Sequence, residues 1–205
     1  PSSAIMLMAY SYRESLWQDQ PTRIEVWVEK EALAGVIGGC AARLDIDSFA
    51  CKGYASSSSM YEAAKRHKRY IDDGQNVVIL YLGDHDPSGL DMDRDILERL
   101  NLMGSPEIEV RRIALTYEQI QEYQPPPNPT KITDSRAEQY MENYGGESWE
   151  LDALEPAVLE ALIQDAVMEI RNDGLFELAE GRQRDNKERL LTLSRNWDDV
   201  VQYLG

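Results

Sequence analysis

The sequence predicts an α/β fold, in which a parallel sheet of about four strands is flanked by helices and followed by a helical C-terminal extension. Strand-like and helix-like segments alternate from residue 22 to residue 123, which is typical of parallel strands joined by crossover helices. Residues 76–82, NVVILYL, form a continuous apolar run bounded by turn residues, the pattern of a central strand covered on both faces. Beyond the prolines at 125–129 the remaining patterns are mainly helical.

Each element has its own local signal. Residues 22–28, TRIEVWV, alternate in polarity and are rich in β-branched side chains, as strands are. The serines at 56–59 are suited to cap a following helix, and Gly104 is suited to end the next one. In chain order the predicted strands are 22–28, 48–51, 76–82 and 107–115, and the predicted helices are 30–44, 60–71, 88–104 and 116–123.

The segment at 125–134 is predicted to be a rigid loop, because its prolines fix φ and remove hydrogen-bond donors. Helices are predicted after it at 135–145, 155–172 and 186–204. The predicted organisation is an N-terminal arm at 1–21, an α/β core at 22–124, the proline-rich loop at 125–134, and a helical extension at 135–205 that packs on the core.

Composition narrows the classes of function. With 205 residues, of which 42% are hydrophobic, the chain is long enough for one well-buried core. Its formal net charge of -16 is the opposite of the basic footprint expected from a free-standing DNA-binding protein. Cys40 and Cys51 are the only cysteines and form no CxxC pair, which argues against a disulfide framework or a zinc site. No membrane-spanning apolar stretch and no secretory signal is visible, so a cytoplasmic location is expected.

Three carboxylates follow two of the predicted strands. Glu29 comes directly after the first strand, and Asp84 and Asp86 lie in GDHDPSG, directly after the third. Loops at the carboxyl ends of parallel strands carry ligands, so these side chains converge if the two strands are neighbours. Crowded carboxylates are stabilised by a hard divalent cation, above all Mg²⁺. The simpler interpretation is that Asp84 caps a turn and Glu29 is solvated.

Four ordered motifs resemble the Toprim domain, and most closely that of the topoisomerase VI A subunit and the related meiotic double-strand-break protein. They are VEKEAL, which contains Glu29; CKGYASS; GDHDPSG, which contains Asp84 and Asp86; and WELDAL, which contains Glu150 and Asp152. The resemblance implies a Rossmann-like parallel sheet and Mg²⁺-dependent cleavage of DNA strands, as in topoisomerases and several nucleases.

The resemblance also implies roles for individual residues. Asp84 and Asp86 would bind Mg²⁺, or Mn²⁺ as an alternative, near the scissile phosphate, and Glu29 would act as a metal ligand or as general acid and base. Lys30 and Lys52 are candidates for contacting a phosphate, although an ordinary surface lysine explains Lys52 equally well. The residues expected to surround the metal ligands are His85, Glu150 and Asp152.

The sequence departs from the family pattern at the nucleophile. Those relatives cut DNA with a tyrosine from a winged-helix domain that precedes Toprim, and only about 20 residues precede the first predicted strand here. A tyrosine nucleophile is therefore expected only from a partner protein or an upstream winged-helix domain, which would also supply the main DNA contacts, whereas water as the nucleophile fits the visible chain better. Tyr10 and Tyr12 are more simply explained as anchors of an N-terminal arm. The sequence is compatible with an oligomer and does not specify one.

Three hypotheses remain open at this point. The first is a metal-dependent phosphodiester enzyme, with either water or a tyrosine from elsewhere as the nucleophile. The second is a non-catalytic Toprim-fold module that binds a phosphorylated ligand or a partner protein. The third is a phosphatase-like enzyme with Asp84 as nucleophile and Asp86 as acid, which explains the DxD motif but not Glu29 or the other motifs.

Overall fold

The computed structural model describes residues 2–51, 56–105, 107–130 and 134–204. The chain divides into two compact units, of which Pro21–Ile170 is the larger and Pro1–Gln20 together with Arg171–Gly205 is the smaller. The larger unit contains the sheet and every described residue that the sequence analysis places at the site.

The sheet described in the larger unit consists of parallel strands. They are β1 (Thr22–Val28), β2 (Asp47–Ala50), β3 (Asn76–Leu82) and β4 (Ile108–Ala114), arranged in the order β2-β1-β3-β4. Val28 lies opposite Leu82, so the two central strands end level with each other. The predicted α/β class, with a four-stranded parallel sheet flanked by helices and a helical C-terminal region, is confirmed.

The helices of the larger unit are α2 (Ala34–Arg43), α3 (Ser57–Asp72), α4 (Met92–Leu102), α5 (Tyr117–Tyr123), α6 (Ala137–Tyr144) and α7 (Pro156–Ile170). Those of the smaller unit are α1 (Ser2–Ser11), α8 (Asp173–Arg195) and α9 (Trp197–Leu204). Two short strands, β5 (Asn128–Pro129) and β6 (Glu147–Ser148), pair antiparallel apart from the main sheet. Ser56 caps α3, and Thr116 forms a capping box with Gln119 at the start of α5.

Burial explains why β3 is so apolar. All of its residues after Asn76 are buried. Successive side chains of a strand point to opposite faces, and on one face Trp27, Ile79 and Tyr81 pack in a cluster with Met60 of α3. The chain moves across the sheet in one direction from β1 to β2 and in the other direction from β2 to β3. Because connections between parallel strands are right-handed, the helices of these two connections, α2 and α3, lie on opposite faces of the sheet. The reversal also creates a topological switch point between β1 and β3.

The segment predicted as one helical extension is divided in the structure. Residues 135–170 belong to the larger unit, because α7 packs on α2, β1 and β4. The burial of Leu159, Ile163 and Val167 on α7 shows which face makes these contacts. The sheet is therefore covered by a helix that lies far beyond the proline-rich segment in sequence.

The smaller unit pairs the N-terminal segment with the long C-terminal helix. The predicted arm is helical over α1, which packs along α8, and Trp17 meets Phe176 edge-on with 5.9 Å between ring centroids. Helix α8 begins at Asp173 rather than at the predicted residue 186, because the side chain of Asn172 caps it and Phe176 is buried. Within the four described ranges, every helix is too short or too polar to span a lipid bilayer.

Candidate functional site

The two central strands end side by side at one edge of the sheet. The backbone N–H of Glu29 donates to the carbonyl of Leu82 at 2.9 Å, which extends the pairing of β1 with β3 by one residue. The N–H of Gly83 likewise donates to the carbonyl of Ala114 at 2.8 Å, which extends the pairing of β3 with β4. Ligands of open α/β sheets bind in the crevice at the switch point, and these strand ends form that crevice here.

Glu29 contacts the turn that carries the two aspartates. Its Oε2 accepts a hydrogen bond from the backbone N–H of Asp84 at 3.0 Å and another from the hydroxyl of Tyr81 at 3.3 Å. Burial raises the pKa of Glu29, and the negative charges of Asp84 and Asp86 raise it further. The fold thus brings together the acids that follow β1 and β3.

Each aspartate uses one oxygen to accept hydrogen bonds within the protein. Asp84 Oδ1 accepts from the backbone N–H of Leu151 at 2.7 Å, and Asp86 Oδ1 accepts from the N–H of Gly89 at 2.6 Å and from the hydroxyl of Ser88 at 2.9 Å. Burial raises the pKa of Asp84, while the hydrogen bond from Leu151 opposes that shift. Asp86 therefore caps the turn, a role that the sequence suggested for Asp84, and Asp84 instead ties the turn to the distant WELDAL segment.

Lys30 links the aspartate turn to the WELDAL segment. Its Nζ donates to Glu150 Oε2 and to Asp152 Oδ1, each at 2.7 Å, and lies 3.8 Å from Asp84 Oδ1. Burial by itself would lower the pKa of Lys30, but the two acids of WELDAL raise it, so the ammonium group stays charged. Lys52, together with its KGY motif, lies outside the described residues.

The side chain of His85 lies in an aromatic cluster. Its Nδ1 is 2.8 Å from the hydroxyl of Tyr140, and that hydroxyl donates to the carbonyl of His85 at 2.8 Å. Because the phenol proton is used on the carbonyl, Nδ1 is the protonated nitrogen and donates to the phenol oxygen. Burial lowers the pKa of His85 to about 4, so the ring is neutral at pH 7. The other rings of the cluster are Tyr117, Tyr144 and Trp149.

Arg112 on β4 holds the aspartate turn from the other side, a role that the sequence analysis missed. Its guanidinium lies over the ring of Tyr81 at 5.1 Å. It donates to the carbonyls of Gly83, Asp84 and Gly89 and to the carboxylate of Asp93. An arginine near the end of a strand in a parallel sheet was the available signal, and only the strand order reveals which turn it reaches.

Two glycines allow the close approach of these groups. A Cβ atom on Gly83 would lie 2.8 Å from Glu29 Oε2, and one on Gly89 would overlap the carbonyl of Asp84. A side chain at either position would therefore displace the acids or the backbone that holds them. The small residues of GDHDPSG are required for packing as well as for turning the chain.

The chemistry of these donors suits a hard divalent cation. Mg²⁺ prefers oxygen ligands. Burial raises the pKa of Glu29 and of Asp84, and neighbouring carboxylates add to both shifts through a repulsion that a cation would relieve. Among the described residues, no group of three or more His, Cys, Asp and Glu side chains is arranged so that it could hold a metal ion. The fit of these donors to Mg²⁺ is therefore one of ligand type and charge, and not of arrangement.

Comparisons of the chain with protein-family models, with curated proteins and with solved structures found no match. The resemblance to the Toprim domain therefore stays a prediction. The function has to be inferred from the geometry of the strand ends and from the charges that meet there.

Proposed function

We propose that the chain is a Mg²⁺-dependent enzyme, with Mn²⁺ as the alternative ion, that cleaves phosphodiester bonds in DNA and is built on a Toprim-type sheet. The observation that carries the proposal is the hydrogen bond from the N–H of Asp84 to Glu29 Oε2, because it joins the acid after β1 to the acidic turn after β3. Acids crowded at a switch-point crevice are suited to a divalent ion and to a phosphate bound beside it.

Each of the three acids has a distinct task in this proposal. Asp84 and Asp86 hold the ion, while one oxygen of Asp84 stays bonded to the N–H of Leu151 and one oxygen of Asp86 to the N–H of Gly89. Glu29 is a further ligand or exchanges a proton with the attacking group, and its raised pKa suits proton transfer nearer to neutral pH than that of an ordinary glutamate. A bound Mg²⁺ supplies positive charge that stabilises the phosphate oxygens and the leaving 3′ oxygen.

Water is the nucleophile in this proposal. The phenol that is bonded to Glu29, Tyr81, is buried and has a pKa raised by that burial, so its oxygen is a poor attacking group. Tyr10 and Tyr12 belong to the smaller unit, where the hydroxyl of Tyr12 donates to Glu14 at 2.6 Å. A tyrosine supplied by a partner protein would make the reaction a transesterification, as in the family that the sequence resembles.

The net charge of -16 bears on how DNA would be held. Phosphates are bound by cationic groups, and near the acids these include Lys30 and Arg112, each already paired with carboxylates. Bound Mg²⁺ would offset part of the negative charge at the crevice. We therefore infer that a partner protein contributes DNA contacts, and that the affinity of this chain alone for DNA is low.

A supercoiled plasmid incubated with the chain and Mg²⁺ tests the proposal. Nicked or linear DNA is expected from the unmodified chain and from Glu62→Gln, an exposed substitution on α3 that serves as the control, and none is expected from Asp84→Ala. Relaxed closed circles, or DNA ends linked to protein, would show transesterification instead. Intact supercoiled plasmid with both Mg²⁺ and Mn²⁺, across salt concentrations, would refute cleavage by this chain. Calorimetry would then test for a non-catalytic module. Such a module is indicated if the chain shows no Mg²⁺ binding that Asp84→Ala abolishes.

A further inference from the structure

A cleft opens directly beside the aspartate turn. It has a volume of about 270 Å³ and lies between the residues that follow Asp86 and helix α6. Pro87 and Leu90 form one wall, and Tyr140 and Tyr144 form the other. Pockets for drug-sized ligands measure roughly 300–1,000 Å³, so this cleft suits a single flat ring system.

The aromatic wall of the cleft is held rigidly. Tyr140 is only 4% exposed, and the two hydrogen bonds between its hydroxyl and His85 fix the position of its ring. Tyr144 is less buried and packs edge-on against His85, with 4.7 Å between ring centroids, and against Tyr117 at 5.1 Å. Because Tyr140 is almost completely buried, a ligand stacks on the accessible part of Tyr144, and this surface needs no reordering, which lowers the entropic cost of binding.

The rim of the cleft carries neutral hydrogen-bonding groups. Gln139 and Asn143 are exposed, lie one helical turn apart on α6, and line the cleft. The amide nitrogen of Asn143 donates to the backbone carbonyl of Gln139 at 3.0 Å, and a side-chain amide has one further donor and an acceptor oxygen for a ligand. Amides of this kind pair with the edges of nucleobases. Arg136 also lines the cleft, but Asp91 and Asp134 hold its guanidinium at 2.7 Å and 2.9 Å. The paired arginine and the nearby acids disfavour a phosphate here and favour an uncharged aromatic ligand.

We propose that this cleft binds one unpaired nucleobase of the strand whose phosphate lies at the carboxylates. The inference rests on the proposed function, and it specifies the substrate as single-stranded or locally unpaired DNA, since a base inside a duplex cannot enter such a cleft. Pro87 in the cleft wall directly follows Asp86, so a base held there belongs to a nucleotide next to the acidic crevice. Stacking on aromatic side chains is how single strands are commonly held.

The inference is tested by measuring the binding of neutral deoxynucleosides with saturation-transfer NMR in the absence of metal ions. Base protons are expected to receive saturation at millimolar nucleoside, and deoxyribose alone is expected to receive none. Asn143→Ala, an exposed change, and Tyr144→Leu are each expected to raise the apparent Kd about tenfold. Glu142→Ala is the matched control, because Glu142 is an exposed residue of α6 that does not line the cleft.

No saturation transfer to any of the four deoxynucleosides would overturn the inference, and so would transfer that survives Asn143→Ala unchanged. The measurement needs neither Mg²⁺ nor cleavage, so it is independent of the plasmid assay. A chain that cleaves plasmid but ignores nucleosides would refute the base cleft alone. A chain that binds nucleosides through Asn143 but never cleaves would refute the proposed enzyme and leave a base-binding cleft.

Discussion

Glu25 and Glu29 lie four residues apart, one inside β1 and the other just beyond it. The charged groups around Glu25 are positive, whereas those around Glu29 are negative. Glu25 is buried and accepts two hydrogen bonds from Arg66, at 2.7 Å and 2.8 Å, and one from the indole of Trp27 at 2.9 Å. Burial alone would raise the pKa of Glu25, but His67 and Arg66 bring it down to about 2. The pKa of Glu29 is raised instead, by burial and by two neighbouring aspartates.

The difference separates a structural acid from a candidate functional one. Glu25 has cationic and donor partners on both oxygens, so its charge is compensated inside the protein. Glu29 is partly buried beside like charges, an arrangement that costs stability and needs a proton or a cation for compensation. Perturbed acids of the second kind cluster at functional sites, which is why we place the proposed chemistry at the carboxyl end of β1.

Of the changes at these two glutamates, Glu29→Gln is expected to have the larger effect on activity. Cleavage of plasmid should fall by roughly 10²-fold or more, because the substitution removes both a metal ligand and a proton-transfer group. The melting temperature should stay the same or rise, since the amide oxygen can still accept from Asp84 and the repulsion is gone. A folded variant with unchanged Mg²⁺-dependent cleavage would contradict the assignment of Glu29.

Glu25→Gln is the matched change at the compensated acid. It leaves the half-buried Arg66 without its carboxylate partner, so the free energy of unfolding should drop by about 2 kcal/mol. The fraction of chain that remains folded should cleave plasmid as well as the unmodified chain does. Urea unfolding and plasmid cleavage measured on the same preparation separate the effect on stability from the effect on activity. A loss of activity without a loss of stability would contradict the structural role of Glu25.

Acid should destabilise the two regions over different pH ranges. Because His85 has a folded-state pKa of about 4, below its ordinary value of 6.5, its contribution is complete above pH 6.5 and is lost as the pH falls towards 4. The loss from this group at pH 5 is about 2 kcal/mol, and His85→Gln should remove that slope from a series of melts between pH 7 and pH 5.

Glu25 should respond lower on the pH scale. Its folded-state pKa of about 2 lies below the ordinary 4.5, so its contribution is complete above pH 4.5 and is lost between 4.5 and 2. Below pH 4.5, the free energy of unfolding measured by circular dichroism should therefore depend less steeply on pH in Glu25→Gln than in the unmodified chain. His85→Gln should leave this dependence unchanged. If His85→Gln rather than Glu25→Gln changed the loss of stability below pH 4.5, the group that titrates there would belong to the aspartate turn and not to the pair of Glu25 with Arg66.

The smallest expected effects come from a matched pair of arginine changes. Lysine keeps the charge but not the forked geometry of a guanidinium. Arg66→Lys should lower the free energy of unfolding by about 1 kcal/mol without affecting cleavage. Arg112→Lys should instead slow cleavage by about tenfold, because Arg112 donates to three carbonyls around the aspartate turn. Equal effects of the two variants on stability and on cleavage would show that both arginines are purely structural.

Much of the fold could be predicted because its signals are local. The apolar run of β3, the alternation in β1 and the capping residues Ser56 and Thr116 act over a few neighbouring positions, and each element is present in the structure. The start of α8 could not be predicted, because its stability depends on packing of Phe176 against Trp17, a residue far away in sequence. The same holds for the assignment of α7 to the larger unit.

The candidate site was predictable in part for the same reason. Asp84 and Asp86 share one turn and Glu29 directly follows a strand, so their nearness to strand ends is visible in the sequence. The link from Lys30 to Glu150 and Asp152 spans more than a hundred residues, and no local pattern indicates that it forms. The aromatic surroundings of His85 likewise come from three separate segments of the chain.

By itself, the sequence determined the strands of the main sheet, most of the helices of the larger unit and the acids at strand ends, because periodicity, caps and turns depend on neighbouring residues. Only the tertiary structure decided that β1 and β3 are adjacent, and hence that Glu29 meets the aspartate turn while Glu25 meets Arg66. The physical reason is that a carboxylate's charge state depends on burial and on groups within a few ångströms, and strand order brings those groups from distant parts of the chain.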